Sequence, residues 1–172
     1  MLILVTGGSA SGKSEFAESL CLGHSPRFYL ACMQPFGAEG EARIARHRAM
    51  RRDKGFVTVE RYTGLASLRL PERGCVLLED LGNLAANEMF SGEPPRDPFD
   101  AVLCGIEALE RQCDRLVVVT DEIGNDGVRY DPATTAYLAA LGALNRAIAA
   151  RADAVFETVA GIPIPLKGDL PL

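Results

Sequence analysis

The stretch Leu2-Ile-Leu-Val-Thr6-Gly7-Gly-Ser-Ala-Ser-Gly12-Lys13-Ser14 decides the fold. Residues 2–6 are apolar or β-branched without alternation, as in a parallel strand covered by helices on both faces. The following eight residues match G-x-x-x-x-G-K-[ST] in full, and each position has a physical reason. Gly7 and Gly12 permit backbone angles and close approaches that a side chain blocks. The successive amides of Gly7, Gly8, Ser9, Ala10, Ser11 and Gly12 then form a concave nest for phosphate oxygens. Lys13 adds a point charge at the β and γ phosphates, and the Ser14 hydroxyl is placed to hold Mg²⁺. A helix from Ser14 to Leu22 turns its positive end toward the anion.

Outward from this loop, short β-branched runs alternate with longer helical ones. Strands are expected at Arg27–Cys32, Phe56–Glu60, Cys75–Glu79, Arg115–Thr120 and Ala154–Val159, the last strand of the chain. Helices are expected over Glu39 to about Arg52, Leu81–Phe90, Asp97-Pro98 to about Cys113, and Asp131-Pro132 to about Arg151. In the last two, Asp serves as cap and Pro as first-turn residue. Alternation of this kind predicts an α/β protein: one P-loop NTPase domain over residues 1–172, with a mostly parallel sheet flanked by helices. Open sheets bind ligands beyond the carboxyl ends of their strands. Candidate chemistry lies at three such ends: Gly7–Ser14, Glu79-Asp80 and Asp121-Glu122.

Composition narrows the class. The 172 residues are 48% hydrophobic and 24% charged, with a formal net charge of −5, which argues against a nucleic-acid coat. No apolar run approaches a membrane span, and Met1–Val5 lacks the charged lead of a secretory signal. The five cysteines, at 21, 32, 75, 104 and 113, form no paired pattern, which fits a reducing cytoplasm.

A phosphate loop needs an acid near its metal, commonly at the end of a second buried strand. Glu79 follows Val76-Leu-Leu78 and is favoured, with Ser14, as the metal pair; Asp121 and Glu122, after Val117-Val-Val119, are the competitors. The most unusual segment is Arg43-Ile-Ala-Arg46-His47-Arg48-Ala-Met-Arg51-Arg52-Asp-Lys54. On a helix Arg43, His47 and Arg51 share a face. Neighbouring cations favour the neutral, nucleophilic imidazole, and arginines clamp phosphate oxygens. Such a histidine could attack phosphorus and carry a nucleotidyl group. A solvated basic face or a nucleic-acid helix stays open as the plainer reading.

These motifs resemble, in order and along the whole chain, the adenosylcobinamide kinase/adenosylcobinamide-phosphate guanylyltransferase family. The resemblance rests on the phosphate loop, Tyr29-Leu-Ala31, Ala42–Arg48, Thr58-Val-Glu60, Val76–Glu79 with Asn87, and Val117–Gly124. It is completed by the helix Leu144–Asp153 and the tail Val159-Ala-Gly-Ile-Pro-Ile-Pro-Leu-Lys167. The resemblance implies a bifunctional enzyme of cobalamin nucleotide-loop assembly. A nucleoside triphosphate, ATP or GTP with Mg²⁺, phosphorylates a corrinoid alcohol. GTP then guanylylates a histidine, here His47, which passes GMP to the corrinoid phosphate. It further implies nucleotide contacts at Ala31, Cys32, Met33, Arg48, Arg51, Glu60 and Glu79, and a trimer. The chain departs from the family at Asp121-Glu-Ile-Gly124, where Asn-Glu-Val-Gly is usual, and it has no Trp. Two other readings stay open: a P-loop kinase of another small alcohol, and a nucleotide-binding regulatory module without turnover.

Overall fold

A computed structural model of the chain describes residues 1–35, 37, 45, 49, 52–124 and 126–169. Seven strands, β1 (Leu2–Thr6), β2 (Arg27–Ala31), β3 (Val57–Glu60), β4 (Cys75–Glu79), β5 (Arg115–Val119), β6 (Ala154–Val159) and β7 (Ile162–Lys167), form one sheet. Four described helices accompany it: α1 (Lys13–Ser19), α2 (Leu81–Phe90), α3 (Phe99–Glu110) and α4 (Pro132–Arg151). The strand order is β3-β2-β4-β5-β1-β6-β7. All neighbours are parallel except β6 and β7. The α/β P-loop fold with a mostly parallel, helix-flanked sheet is therefore as expected. No helix among the described residues is long and apolar enough to cross a membrane.

The continuous apolar strands follow from burial on both faces. Leu2, Leu4, Val76, Leu78, Leu116 and Val118 point to one side, against Leu84 of α2, Ile106 of α3 and Leu144 of α4. The residues between them, Ile3, Val5, Leu77, Val117 and Val119, point to the other side, against Ala17 of α1 and Cys21. A fully buried aliphatic side chain contributes about 1.5–3 kcal/mol, so this two-sided core fixes strand register and holds the strand ends in place.

Several boundaries differ from the sequence expectation. Helix α1 stops at Ser19, because the next amides switch to tighter bonds, Cys21 N to Glu18 O and Leu22 N to Ser19 O. In α3 Pro98 occupies the cap position rather than the first turn, and Asp97 accepts the Phe99 amide at 2.9 Å. The Asp131-Pro132 signal of α4 is observed as read: Asp131 accepts from Ala133 N and Thr134 N, with Pro132 in the first turn. The last strand is β7, not β6. Ala160 (φ 51°) and Gly161 (φ 81°) make a two-residue turn with positive φ at both positions, and the tail returns antiparallel to β6. Pro163 and Pro165 mask it in the sequence, but proline is tolerated on an edge strand, and β7 is one. The basic helix expected over Glu39–Arg52 falls almost wholly outside the described residues.

Candidate active site

Because β1 through β6 are parallel, their carboxyl ends line one edge of the sheet. The phosphate loop leaves β1 there and enters α1. Gly12, just before α1, has φ 93°. A Cβ on Gly12 would lie 3.0 Å from the Gly161 Cα, and one on Gly7 (φ 154°) would lie 2.6 Å from the Thr158 carbonyl oxygen. Gly161 N also donates to Ser11 O at 2.8 Å. The β6–β7 turn therefore buttresses the loop from behind, a support the sequence reading missed because it ended the sheet at β6. Within the loop, the Ser11 amide turns inward to Gly8 O at 3.2 Å. The amides of Gly8, Ser9, Ala10, Gly12, Lys13 and Ser14 form no hydrogen bond with the described residues. A set of unspent amides on a glycine-shaped loop is an anion cradle.

Two acids from the neighbouring strand ends reach into this cradle. The Ser14 hydroxyl donates to Glu79 Oε1 at 2.6 Å, and Glu79 is buried at the end of β4. Lys13 Nζ donates to Gly8 O at 3.0 Å and sits 2.6 Å from Asp121 Oδ1 beyond β5. The sequence weighed Glu79 against Asp121 for one role. The structure gives each its own partner, because β5 lies between β1 and β4 and both ends face the loop. Glu122 braces the base of the cradle: its amide donates to Gly7 O at 3.2 Å, and its Oε1 accepts from Thr6 Oγ1 at 3.2 Å.

Tyr137, on α4, donates to Gly82 O at 3.2 Å. Burial first, then the Asp80 and Asp121 carboxylates, push its hydroxyl up to about 12. Asp80 caps α2 through Asn83 N at 2.6 Å.

The other expected contacts lie on the same edge but farther along it. Ala31 ends β2 with Cys32 and Met33 just beyond it, three strands from β1, and Glu60 ends β3, four strands away. At about 4.8 Å per strand these are roughly 14 and 19 Å along the sheet. Asn87 Nδ2 donates to Cys32 O at 2.8 Å, and Cys32 N donates to Glu79 O at 3.2 Å, which locks this strand end to α2 and β4. Burial, then Asp80 and Glu79, push the Cys32 thiol up, so it is an inert packing residue. Glu60 is exposed and accepts from the Tyr62 hydroxyl at 3.1 Å. His47, Arg48 and Arg51 lie outside the described residues.

Residues 3–166 match the family described as cobinamide kinase / cobinamide phosphate guanyltransferase. The chain belongs to this family. As a cobinamide kinase / cobinamide phosphate guanyltransferase family member it is a nucleotide-using transferase, and its cradle is the phosphate-binding element such a transferase needs. Curated relatives agree. The bifunctional adenosylcobalamin biosynthesis protein CobU of Escherichia coli (strain K12) is 33% identical over 182 residues, covering 97% of this chain and 100% of that protein. The bifunctional adenosylcobalamin biosynthesis protein CobP of Pseudomonas aeruginosa is 34% identical over 172 residues, covering 96% and 97%. The Salmonella typhimurium CobU is 32% identical over 183 residues, covering 97% and 100%.

The donor set at the cradle suits a hard divalent cation. Ser14 and Glu79 offer oxygen ligands 2.6 Å apart, and Mg²⁺ commonly takes one or two protein oxygens plus phosphate oxygens and water. No cluster of three or more His, Cys, Asp or Glu that could hold a metal occurs among the described residues. A dedicated protein cage is not what a metal arriving with a triphosphate requires.

Proposed function

We propose that this chain performs both reactions of its family on one phosphate cradle: phosphorylation of the cobinamide alcohol, then transfer of GMP from GTP to cobinamide phosphate by way of His47. The observation that carries the reading is the cradle itself. Unspent loop amides, the Lys13 ammonium and the Ser14–Glu79 pair converge at the end of β1, in a chain matched by the family over residues 3–166.

In the kinase step, Lys13 exchanges Asp121 for the β and γ phosphates, and the loop amides hold the remaining oxygens. Mg²⁺ bound through Ser14 and Glu79 would neutralise charge on the transferred group. Catalysis of phosphoryl transfer is mostly positioning and electrostatics, which a preformed cradle supplies. In the second step a neutral His47 imidazole nitrogen attacks the α-phosphorus of GTP. A nitrogen–phosphorus bond forms as the bond to the bridging oxygen breaks, and pyrophosphate leaves. Arg48 and Arg51 balance charge on the α-phosphate oxygens. A phosphate oxygen of cobinamide phosphate then displaces the imidazole, forming the diphosphate link and restoring His47.

The test uses α-labelled GTP. The wild-type protein is expected to form an acid-labile, base-stable adduct that cobinamide phosphate discharges. His47→Ala is expected to lose the adduct while γ-label still passes to cobinamide. An undiminished adduct in that variant places the nucleophile elsewhere.

A further inference from the structure

Glu18, on α1, is a buried carboxylate that the cradle does not use. It forms an ion pair with Lys54, whose ammonium donates to Glu18 Oε2. Lys54 closes a 3₁₀ turn, Arg52–Lys54, at the carboxyl end of the basic segment that carries His47. Glu18 stands four residues after Ser14, so the two share one face of α1 with their Cβ atoms about 5–6 Å apart. On that face Ser14 reaches Glu79 at the end of β4, and Glu18 reaches Lys54. We propose that Lys54 is a positioning residue of guanylyl transfer: docked on Glu18, it pins the β2–β3 connection, and His47 with it, on the phosphate-loop side of the sheet.

The topology agrees with the ion pair about the side. In the order β3-β2-β4-β5-β1-β6-β7, the chain moves from β1 to β2 and on to β3 in one direction across the sheet. Crossovers between parallel strands are right-handed, so two moves in the same direction carry both connections over the same face. The first of these connections contains α1. The later moves, from β3 to β4, to β5 and to β6, run the other way, and Leu84 of α2, Ile106 of α3 and Leu144 of α4 pack on the opposite face. The Glu18–Lys54 pair is the described contact that ties the end of the second connection to the helix of the first.

The chain after Lys54 is held by other means. Gly55 has φ 66°, and a Cβ there would lie 3.9 Å from the Arg27 guanidinium carbon. The Phe56 ring meets Tyr29 of β2 edge-on, with centroids 6.3 Å apart. These contacts fix the entry into β3. Lys54 adds the direction from which the chain arrives. A buried ion pair contributes little net stability compared with an apolar pair, but it specifies one register where apolar surfaces tolerate sliding. Seven residues separate His47 from Lys54, about 25 Å of extended chain or about 10 Å of helix. An anchor one helical turn from Ser14 therefore keeps the imidazole within reach of the triphosphate. The pair makes no bond to the nucleotide and moves no proton. It raises the fraction of time in which the imidazole nitrogen faces the α-phosphorus, and misplacement of a reacting group by about 1 Å is enough to cost about 100-fold in rate.

The proposal rests on the His47 reading, and the experiment separates the two. Capture of α-label by the protein and transfer of γ-label to cobinamide are both measured at saturating GTP. The proteins are wild type, Lys54→Met, Lys54→Arg, Glu18→Gln and the double variant Lys54→Met/Glu18→Gln. Lys54→Met and Glu18→Gln are each expected to slow α-label capture at least about tenfold, while γ-label transfer and the KM for GTP stay within about threefold. Lys54→Arg keeps the charge and is expected to restore capture to within about threefold of wild type. The double variant is expected to be no slower than either single variant, because one contact is lost only once. If wild type forms no adduct, or His47→Ala keeps it, the functional reading fails, and this proposal with it. If wild type guanylylates His47 while Lys54→Met captures label within about threefold of the wild-type rate, the proposal alone is overturned. Two further results overturn it. Equal losses in both label transfers mark a pair that only supports α1. Losses that multiply in the double variant put Lys54 on the nucleotide rather than on Glu18. Should Lys54→Met not fold, because it leaves a buried carboxylate unpaired, Glu18→Gln decides by the same ratio of the two transfers.

Discussion

Replacing Gly7 by alanine tests whether the cradle is shaped from behind as well as by its ligand. Two costs arise. The backbone at Gly7 has φ 154°, a conformation an L side chain rarely adopts, worth about 1–3 kcal/mol of strain. The added Cβ also meets Ser11 Oγ and the Thr158 carbonyl oxygen, both at 2.6 Å. The serine can rotate away. The carbonyl cannot, because β6 is held between β1 and β7. The loop must withdraw by about 0.8 Å to reach the 3.4 Å of ordinary contact. Overpacking of that kind costs about 1–3 kcal/mol more. The sum is about 2–6 kcal/mol, which for a chain of this length lowers Tm by roughly 4–24 °C. Gly8→Ala is the internal control, since a Cβ there finds nothing within 4 Å; its Tm is expected to stay within about 2 °C. Thermal unfolding of the two variants in the absence of nucleotide reads the effect, and titration with nucleotide reads the loss of the cradle in Gly7→Ala. Equal Tm shifts in the two variants would refute the reasoning, because the difference rests on the Gly7 backbone strain together with its contact with β6.

Two further outcomes follow from the site. Ser14→Ala removes a hydroxyl that donates to Glu79 at 2.6 Å, so phosphoryl transfer is expected to fall about 10- to 100-fold and to need more Mg²⁺. A chelator is expected to abolish the wild-type activity, and a Mg²⁺ titration of both proteins checks this. Tyr137 supplies a pH signature. Its folded value of about 12 lies above the ordinary 10.0, so the folded state holds the proton more tightly. Its contribution to stability is complete below pH 10 and is lost as pH rises toward 12. Urea unfolding from about pH 9 to about pH 11 is expected to show falling stability, and Tyr137→Phe a shallower slope.

Much of this was legible in the chain because it is local. The phosphate loop is a contiguous motif between a strand and a helix, and the Asp131-Pro132 cap is two adjacent residues whose effect ends within one turn. Glu79 was readable as the acid of a buried strand. What escaped the sequence is what distance along the chain conceals. Strand order, which brings Glu79 to Ser14 across 65 positions, is set by core packing on both sheet faces. β7 was hidden because Pro163 and Pro165 lower strand propensity, although an edge strand with an unpaired side accommodates them. The contact between its turn and Gly12 could have been sought from the Ala160-Gly161 pair, whose positive φ values mark a tight hairpin. The sequence makes Asp121 a rival to Glu79, because it shows which strand an acid ends but not which loop residue it faces. The basic segment carrying His47 lies outside the described residues, so its role rests on chemistry and family.

The central claim is that a single triphosphate cradle serves phosphoryl and guanylyl transfer alike. Lys13→Met, measured in both half-reactions, addresses it most directly. The account predicts that γ-label transfer to cobinamide and α-label capture by the protein both fall at least about 100-fold, the scale of a lost preorganised charge. Protein guanylylation persisting at the wild-type rate while phosphorylation disappears would contradict it, by requiring a second triphosphate site.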